Sequence, residues 1–345
     1  MEFHYKKRSV RRRGAGRFLI GLAAVSLAAC QHQPPTQLTG FAQGTTYSIL
    51  YLDPQQRDLQ PGIDSLLAEI DQTVSLWVDS SLLRRVNANL TCELTPMLSD
   101  LMRYSDSIRR YTDGAFDVRI GRVVQAWGFS FREREEIDTL TLDSLLCAAR
   151  CKVGLHGDSL QKECPETELD FNAIAQGYSS DLVARYFDSL GVENYLIDIG
   201  GEVKARGTKG RRNPWRVGIE KPARESDSPR MIQTAIRLED KSVVTSGNYR
   251  KYYVKDGVRY SHTIDPSTGR PVTHSLLSVS VVEEDCWLAD AMATAYMVMG
   301  LEKAKQFIAT HPGGPGTEAV MFIYDDHGEL ATYATPGFNN LLSNN

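Results

Sequence analysis

Residues 261–294 carry the densest chemistry of the 345-residue chain: SHTIDPSTGRP, then an apolar alternating stretch, then CWLADAMATAYMVMG. His262 lies beside a polar turn, while Asp290 and Thr294, four residues apart, share one face of the helix that the last stretch predicts. A carboxylate and a hydroxyl stacked this way among Ala and Met can hold a hard cation such as Mg2+ through oxygen. The plainer alternative is a helix-surface acid and a hydroxyl bonded to its own backbone.

These groups need elements to hold them. TTYSILYL (45–52) predicts a strand, and 61–77 an amphipathic helix with Ile63, Leu66, Leu67, Ile70, Val74 and Trp77 on one side. Thr95, as cap before Pro96, starts a second helix that runs to Tyr111. A third helix covers 173–190, and 287–311 holds one or two more. Strands are predicted at 194–200, 215–222, 231–239, 242–247, 275–283 and 319–325. Strands that are neighbours in sequence predict an α+β fold, with a largely antiparallel sheet and helices on one face. No linker divides it.

The N-terminus bears on location. Seven basic residues fall within 1–17, and the apolar run 18–29 is too short to span a bilayer, so residues 1–29 read as a signal peptide. Leu27-Ala28-Ala29-Cys30 resembles the bacterial lipobox, which implies lipidation of Cys30; a soluble-secretion signal is the alternative. Residues 30–40 then read as a tether and 41–340 as one domain, anchored in the bacterial envelope and facing the periplasm, with the inner membrane preferred over the outer. Removing 1–29 takes away seven basic residues and one acid, which moves the formal charge from -4 to -10. A chain that acidic has no basic footprint for nucleic acid.

Five cysteines follow Cys30. Cys151 and Cys164 flank a predicted strand-turn-strand, and a disulfide between them suits an oxidising compartment. The competing reading is a zinc site from Cys147, Cys151, His156 and Cys164.

GTTYSI, TDGAFDV (112–118), DFNAIAQGYSSD (170–181), YLIDIGGEV (195–203), VVTSGNYRKY (243–252), SHTIDPSTGRP (261–271) and ADAMATA (289–295) resemble, in order, the blocks of the ApbE family of FAD:protein FMN transferases. The resemblance implies an ApbE-like, T-fold-like architecture. It also implies a reaction: FAD is split at its pyrophosphate, FMN is esterified to a Thr or Ser of an acceptor protein, and AMP leaves. Acceptors in the family are flavoprotein subunits of membrane redox complexes such as the sodium-pumping NADH:quinone oxidoreductase (Nqr) and Rnf.

Carried over residue by residue, the resemblance makes His262 the base and assigns Mg2+ to Asp290, Thr294 and the carbonyl of Ala173. It assigns FAD to Gln43, Trp77, Ala115, Phe116, Asp117, Asp170, Gln176 and the backbone near Ile264. Trp77 has core packing as its alternative, and Asp170 can also cap the helix that follows. Gly200-Gly201 permits close approach, and Ser246, Gly247 and Asn248 can present a turn to phosphate. Two positions depart from the family's common residues: Gln43 stands for Met, and Gln176 for Lys, which removes a positive charge. Two other readings use the same site: a pyrophosphatase that releases FMN and AMP, and a non-catalytic FAD-binding lipoprotein.

Overall fold

The computed structural model describes residues 34–130, 137–210, 213–223, 229–249, 252–255 and 258–343. The stretch read as a signal peptide, with Cys30, lies outside the described residues.

An opening hairpin of β1 (Thr36–Ala42) and β2 (Thr45–Leu52) is followed by α1 (Gln60–Val74), α2 (Leu82–Asn87), α3 (Pro96–Tyr111), α4 (Gly121–Ala126) and α5 (Thr139–Arg150). The hairpin β3 (Val153–His156) and β4 (Ser159–Lys162) leads to α6 (Ala175–Ser189), β5 (Asn194–Ile199) and β6 (Glu202–Arg206). A further hairpin, β7 (Trp215–Glu220) and β8 (Ile232–Leu238), precedes β9 (Ser242–Gly247). Two ribbons come next, β10 (Tyr252–Lys255) with β11 (Val258–Ser261), and β12 (Ile264–Asp265) with β13 (Arg270–Pro271). The chain closes with β14 (Leu276–Glu283), α7 (Cys286–Met299), α8 (Leu301–Thr310), β15 (Ala319–Asp326), β16 (Glu329–Ala334) and α9 (Pro336–Asn339).

Eight strands form one sheet in the order β1-β2-β5-β6-β9-β14-β15-β16. Every pairing in it is antiparallel. The fold is α+β, as the sequence predicts.

Both faces of the sheet are covered, which the sequence reading did not expect. In β15, Val320 and Phe322 join the core shared with α6 and α7, while Ala319, Met321 and Ile323 join a second core with Trp215, Ile236 and Phe338. Strands buried on both faces read as continuous apolar runs, as AVMFIY does. The second face is closed by the β7-β8 hairpin and α9 rather than by helices alone, so 215–222 and 231–239 are strands outside the large sheet.

Three boundaries move. The stretch read as tether already holds the first five residues of β1, whose Thr36 to Ala42 pair with Tyr51 to Thr45, because the partner strand supplies hydrogen bonds that its weak pattern does not advertise. α1 ends at Val74, where Ser75 turns extended, so Trp77 is not on its buried stripe. α6 starts at Ala175, after a turn in which Ile174 and Ala175 both donate to the Phe171 carbonyl.

Candidate active site

Two helices, α6 and α7, build the centre of the site. Asp290 is buried in α7, and its Oδ2 accepts the Gly177 N–H at 3.1 Å. Gly177 is the third residue of α6, so this N–H is one that the helix itself leaves unpaired, and the dipole there favours negative charge. Burial outweighs that favour and pushes the Asp290 carboxyl up to about 7, with the Gly177 bond opposing. The close approach needs a missing side chain: a Cβ on Gly177 would lie 2.5 Å from the Cys286 carbonyl oxygen and 2.8 Å from Asp290 Cβ.

A second grip lies one helical turn further along α6. Asp181 accepts from the Cys286 N–H at 3.1 Å and the Trp287 N–H at 2.9 Å, capping α7 where the side chain of its own N-cap residue, Asp285, makes no such bond. Lys204 Nζ pairs with Asp181 at 2.9 Å. Neither Gly177 nor Asp181 is a site residue in the sequence reading. Both stand in the AQGYSSD block, but a cap reaching across 105 residues leaves no local signal.

Thr294 is brought against β9, its Oγ1 3.4 Å from Ser246 Oγ. Ser246, expected as part of a phosphate turn, therefore joins the Asp290 face. Asn248 is bound into the fold, its Nδ2 donating to the Leu276 carbonyl at 2.9 Å and its N–H to Leu277 at 3.0 Å.

These residues fit one kind of metal. Among the described residues no three His, Cys, Asp or Glu side chains gather into a metal-binding group. What converges is the Asp290 carboxylate with the Thr294 and Ser246 hydroxyls, on the face of α7 that meets the start of α6. An all-oxygen set of low denticity suits Mg2+, which keeps several waters, and does not suit zinc. The zinc alternative also fails at its own position, because Cys151 and Cys164 form a disulfide.

The residues that the sequence resemblance assigns to the nucleotide divide. Gln43 occupies a left-handed turn with Gly44; its N–H faces Asp71 Oδ2 at 3.5 Å, and its Nε2 donates to Ser179 Oγ on α6. Gln176 on the same helix lies against the Gly200 turn, where a Cβ would be 2.9 Å from its Nε2 and from Thr45 Cγ2. Gln43, Gln176, Gly200 and Asp290 thus cluster around the first turns of α6. Asp170 is buried and pushed up to about 6 by that burial. Its Oδ1 accepts the Asn172 N–H at 2.8 Å, and the N-cap of α6 is Ile174, so Asp170 does not cap that helix.

Trp77 is 56% exposed, which excludes the core-packing alternative and leaves its ring face open. Phe116 is a core side chain, and Ala115 follows a turn with Asp113 and Gly114 at positive φ. Asp117 is paired with Arg119, which donates from Nε at 2.9 Å, so its carboxylate is already engaged. The Ile264 side chain is buried among Val123, Leu142 and Leu146, which leaves only its backbone for a ligand. His262 precedes that strand, its ring edge-on to Phe129 with centroids 6.4 Å apart. Asp265 accepts from Ser267 N at 2.8 Å, the turn role its sequence suggests.

Comparison with known proteins gives a consistent result. The model of the ApbE family matches residues 43–321. A relative from Vibrio cholerae named FAD:protein FMN transferase is 36% identical over 340 residues, covering 94% of this chain and 99% of its own. A protein of the same name from Escherichia coli K12 is 32% identical, covering 93% of this chain and 95% of its own. The solved flavin transferase ApbE from Vibrio cholerae superposes with a TM-score of 0.78 at 33% identity, covering 89% of this chain and 99% of that one.

Proposed function

This chain belongs to the ApbE family, and on that premise we propose that it is an FAD:protein FMN transferase. The hydroxyl oxygen of a Thr or Ser on an acceptor flavoprotein attacks the phosphorus on the FMN side of the FAD pyrophosphate. The bond to the bridging oxygen breaks, and AMP leaves with that electron pair. The hydroxyl proton passes to a base, for which His262 is the assigned group.

The observation that carries this reading is the buried Asp290 carboxylate, held by the start of α6 at 3.1 Å and flanked by Thr294 and Ser246. Asp290, Thr294 and the Ala173 carbonyl would hold Mg2+, which when bound supplies charge neutralisation at a diphosphate. With Gln at 176 there is no lysine at that position to share the task. Trp77 offers its face to a ring, and Gln43 and Gln176 line the approach along α6.

The same reading places the mature protein on the periplasmic side of the envelope, anchored through Cys30, near flavoprotein subunits of Nqr- or Rnf-like complexes. The anchor raises the effective concentration of the site at membrane partners. The test is mass spectrometry of an acceptor peptide after incubation with FAD and Mg2+. A mass gain equal to an FMN ester with stoichiometric AMP supports transfer; AMP without peptide modification makes the protein a pyrophosphatase; intact bound FAD alone makes it a carrier.

A further inference from the structure

Two carboxylates assigned to the nucleotide, Asp117 and Asp170, are linked through the fold to a covalent brace. The Cys151–Cys164 disulfide ties the C-terminal end of α5 to the segment leading into Asp170. Lys152 and Glu163 exchange bonds beside it at 2.9 Å, and Thr167 Oγ1 donates to the Ala148 carbonyl at 2.7 Å. The Lys162 ammonium donates to the carbonyls of Val86 and Thr167 at 3.2 and 3.1 Å. The Asn87 amide clamps both the N–H and the carbonyl of Leu169 at 2.9 Å.

The opposite side of the brace reaches Asp117. Arg119, whose guanidinium holds Asp117, also donates from Nη1 to the Cys151 carbonyl at 3.2 Å. The circuit closes where the Asp170 N–H donates to the Val118 carbonyl at 2.8 Å. Asp117, through Arg119, and Asp170, through the Val118 carbonyl and the 164–170 segment, are therefore both linked to chain that the sulfur bridge joins.

We propose that the Cys151–Cys164 disulfide is a positioning element for nucleotide binding, so that FAD affinity depends on its thiol–disulfide state. This rests on the assignment of Asp117 and Asp170 to the nucleotide. A small external dithiol supplies two electrons and two protons: the sulfur–sulfur bond breaks, both cysteines become thiols, and the dithiol closes to its own disulfide. The end of α5 is then held by the Lys152–Glu163 and Thr167–Ala148 hydrogen bonds without the sulfur bridge, and the carbonyl that Arg119 uses is less firmly fixed.

The test titrates FAD into the full chain, oxidised or reduced with dithiothreitol, and into a Cys151→Ser/Cys164→Ser variant, read by flavin fluorescence quenching. The expected result is an affinity about tenfold weaker in the reduced and variant proteins, with KM for FAD raised to match and kcat retained. Reoxidation restores the wild type and not the variant. In Arg119→Gln, reduction changes FAD affinity by less than about twofold, because the relay is already absent. Equal FAD affinity in both redox states, at a temperature where both are folded by circular dichroism, overturns the proposal. Failure of the oxidised protein to bind FAD would instead overturn the functional reading.

Discussion

Gly177 and Asp290 meet backbone to carboxylate, the N–H of one donating to the Oδ2 of the other at 3.1 Å across the contact of α6 with α7. Asp181 fastens the same two helices one turn away. The orientation of the acid is thus set by a second helix rather than by its own.

Replacing Asp290 by Ala removes the carboxylate and a buried charge together. FMN transfer to an acceptor peptide should fall about a thousandfold, the loss of several kcal/mol of charge stabilisation. Thermal unfolding without Mg2+ should be little changed or improved. Wild-type turnover in Asp290→Ala would remove this residue from the mechanism.

Gly177→Ala places a methyl 2.5 Å from the Cys286 carbonyl, where backbone must shift. Overpacking of this kind costs about 1–3 kcal/mol. Urea denaturation should show that loss, and calorimetric Mg2+ affinity should fall with it; an unchanged midpoint would mean that the helices tolerate a wider spacing.

Asp181→Ala strips the cap from α7 and leaves Lys204 without its carboxylate partner. Breaking a mostly buried pair in this way costs about 3 kcal/mol. Hydrogen exchange should rise first at Cys286 and Trp287, and uniform protection across α7 would count against the cap.

Asp170 sets a pH dependence. Burial raises its carboxyl from 3.8 to about 6, so the folded state favours the proton: its stability contribution is complete below pH 3.8 and is lost as pH rises to 6. Above pH 6 the ionised group therefore costs about 3 kcal/mol. Asp170→Asn, which keeps an acceptor for the Asn172 N–H, should be more stable than wild type at pH 8 and no more stable at pH 3.5. Parallel denaturation curves at both pH values would refute this.

The sequence made the site's helix legible because Asp290 and Thr294 repeat at helical spacing inside an apolar run, and the Cys151–Cys164 pair because it flanks a turn. Other parts were silent for physical reasons. α2 and α4 span six residues each, too short for a periodic pattern, although Ser81 does cap α2 through the Arg84 N–H. α5 does carry a local start signal, the Asp138 carboxylate that accepts the Thr141 N–H. β1 becomes a strand only through its partner, and Trp77 continues the apolar spacing of α1 in sequence because an extended Ser75 has no distinctive sequence. Gly177 and Asp181 act on residues more than a hundred positions away, which no local window can register.

The sheet, sealed on both sides, works as a partition. The proposed site is built on the α6 and α7 side, while Trp215, Ile236 and Phe338 fill a separate apolar core on the other face. Substitutions that loosen the packing of that rear core should therefore cost thermal stability while leaving the α6–α7 contact of Gly177 with Asp290 in place.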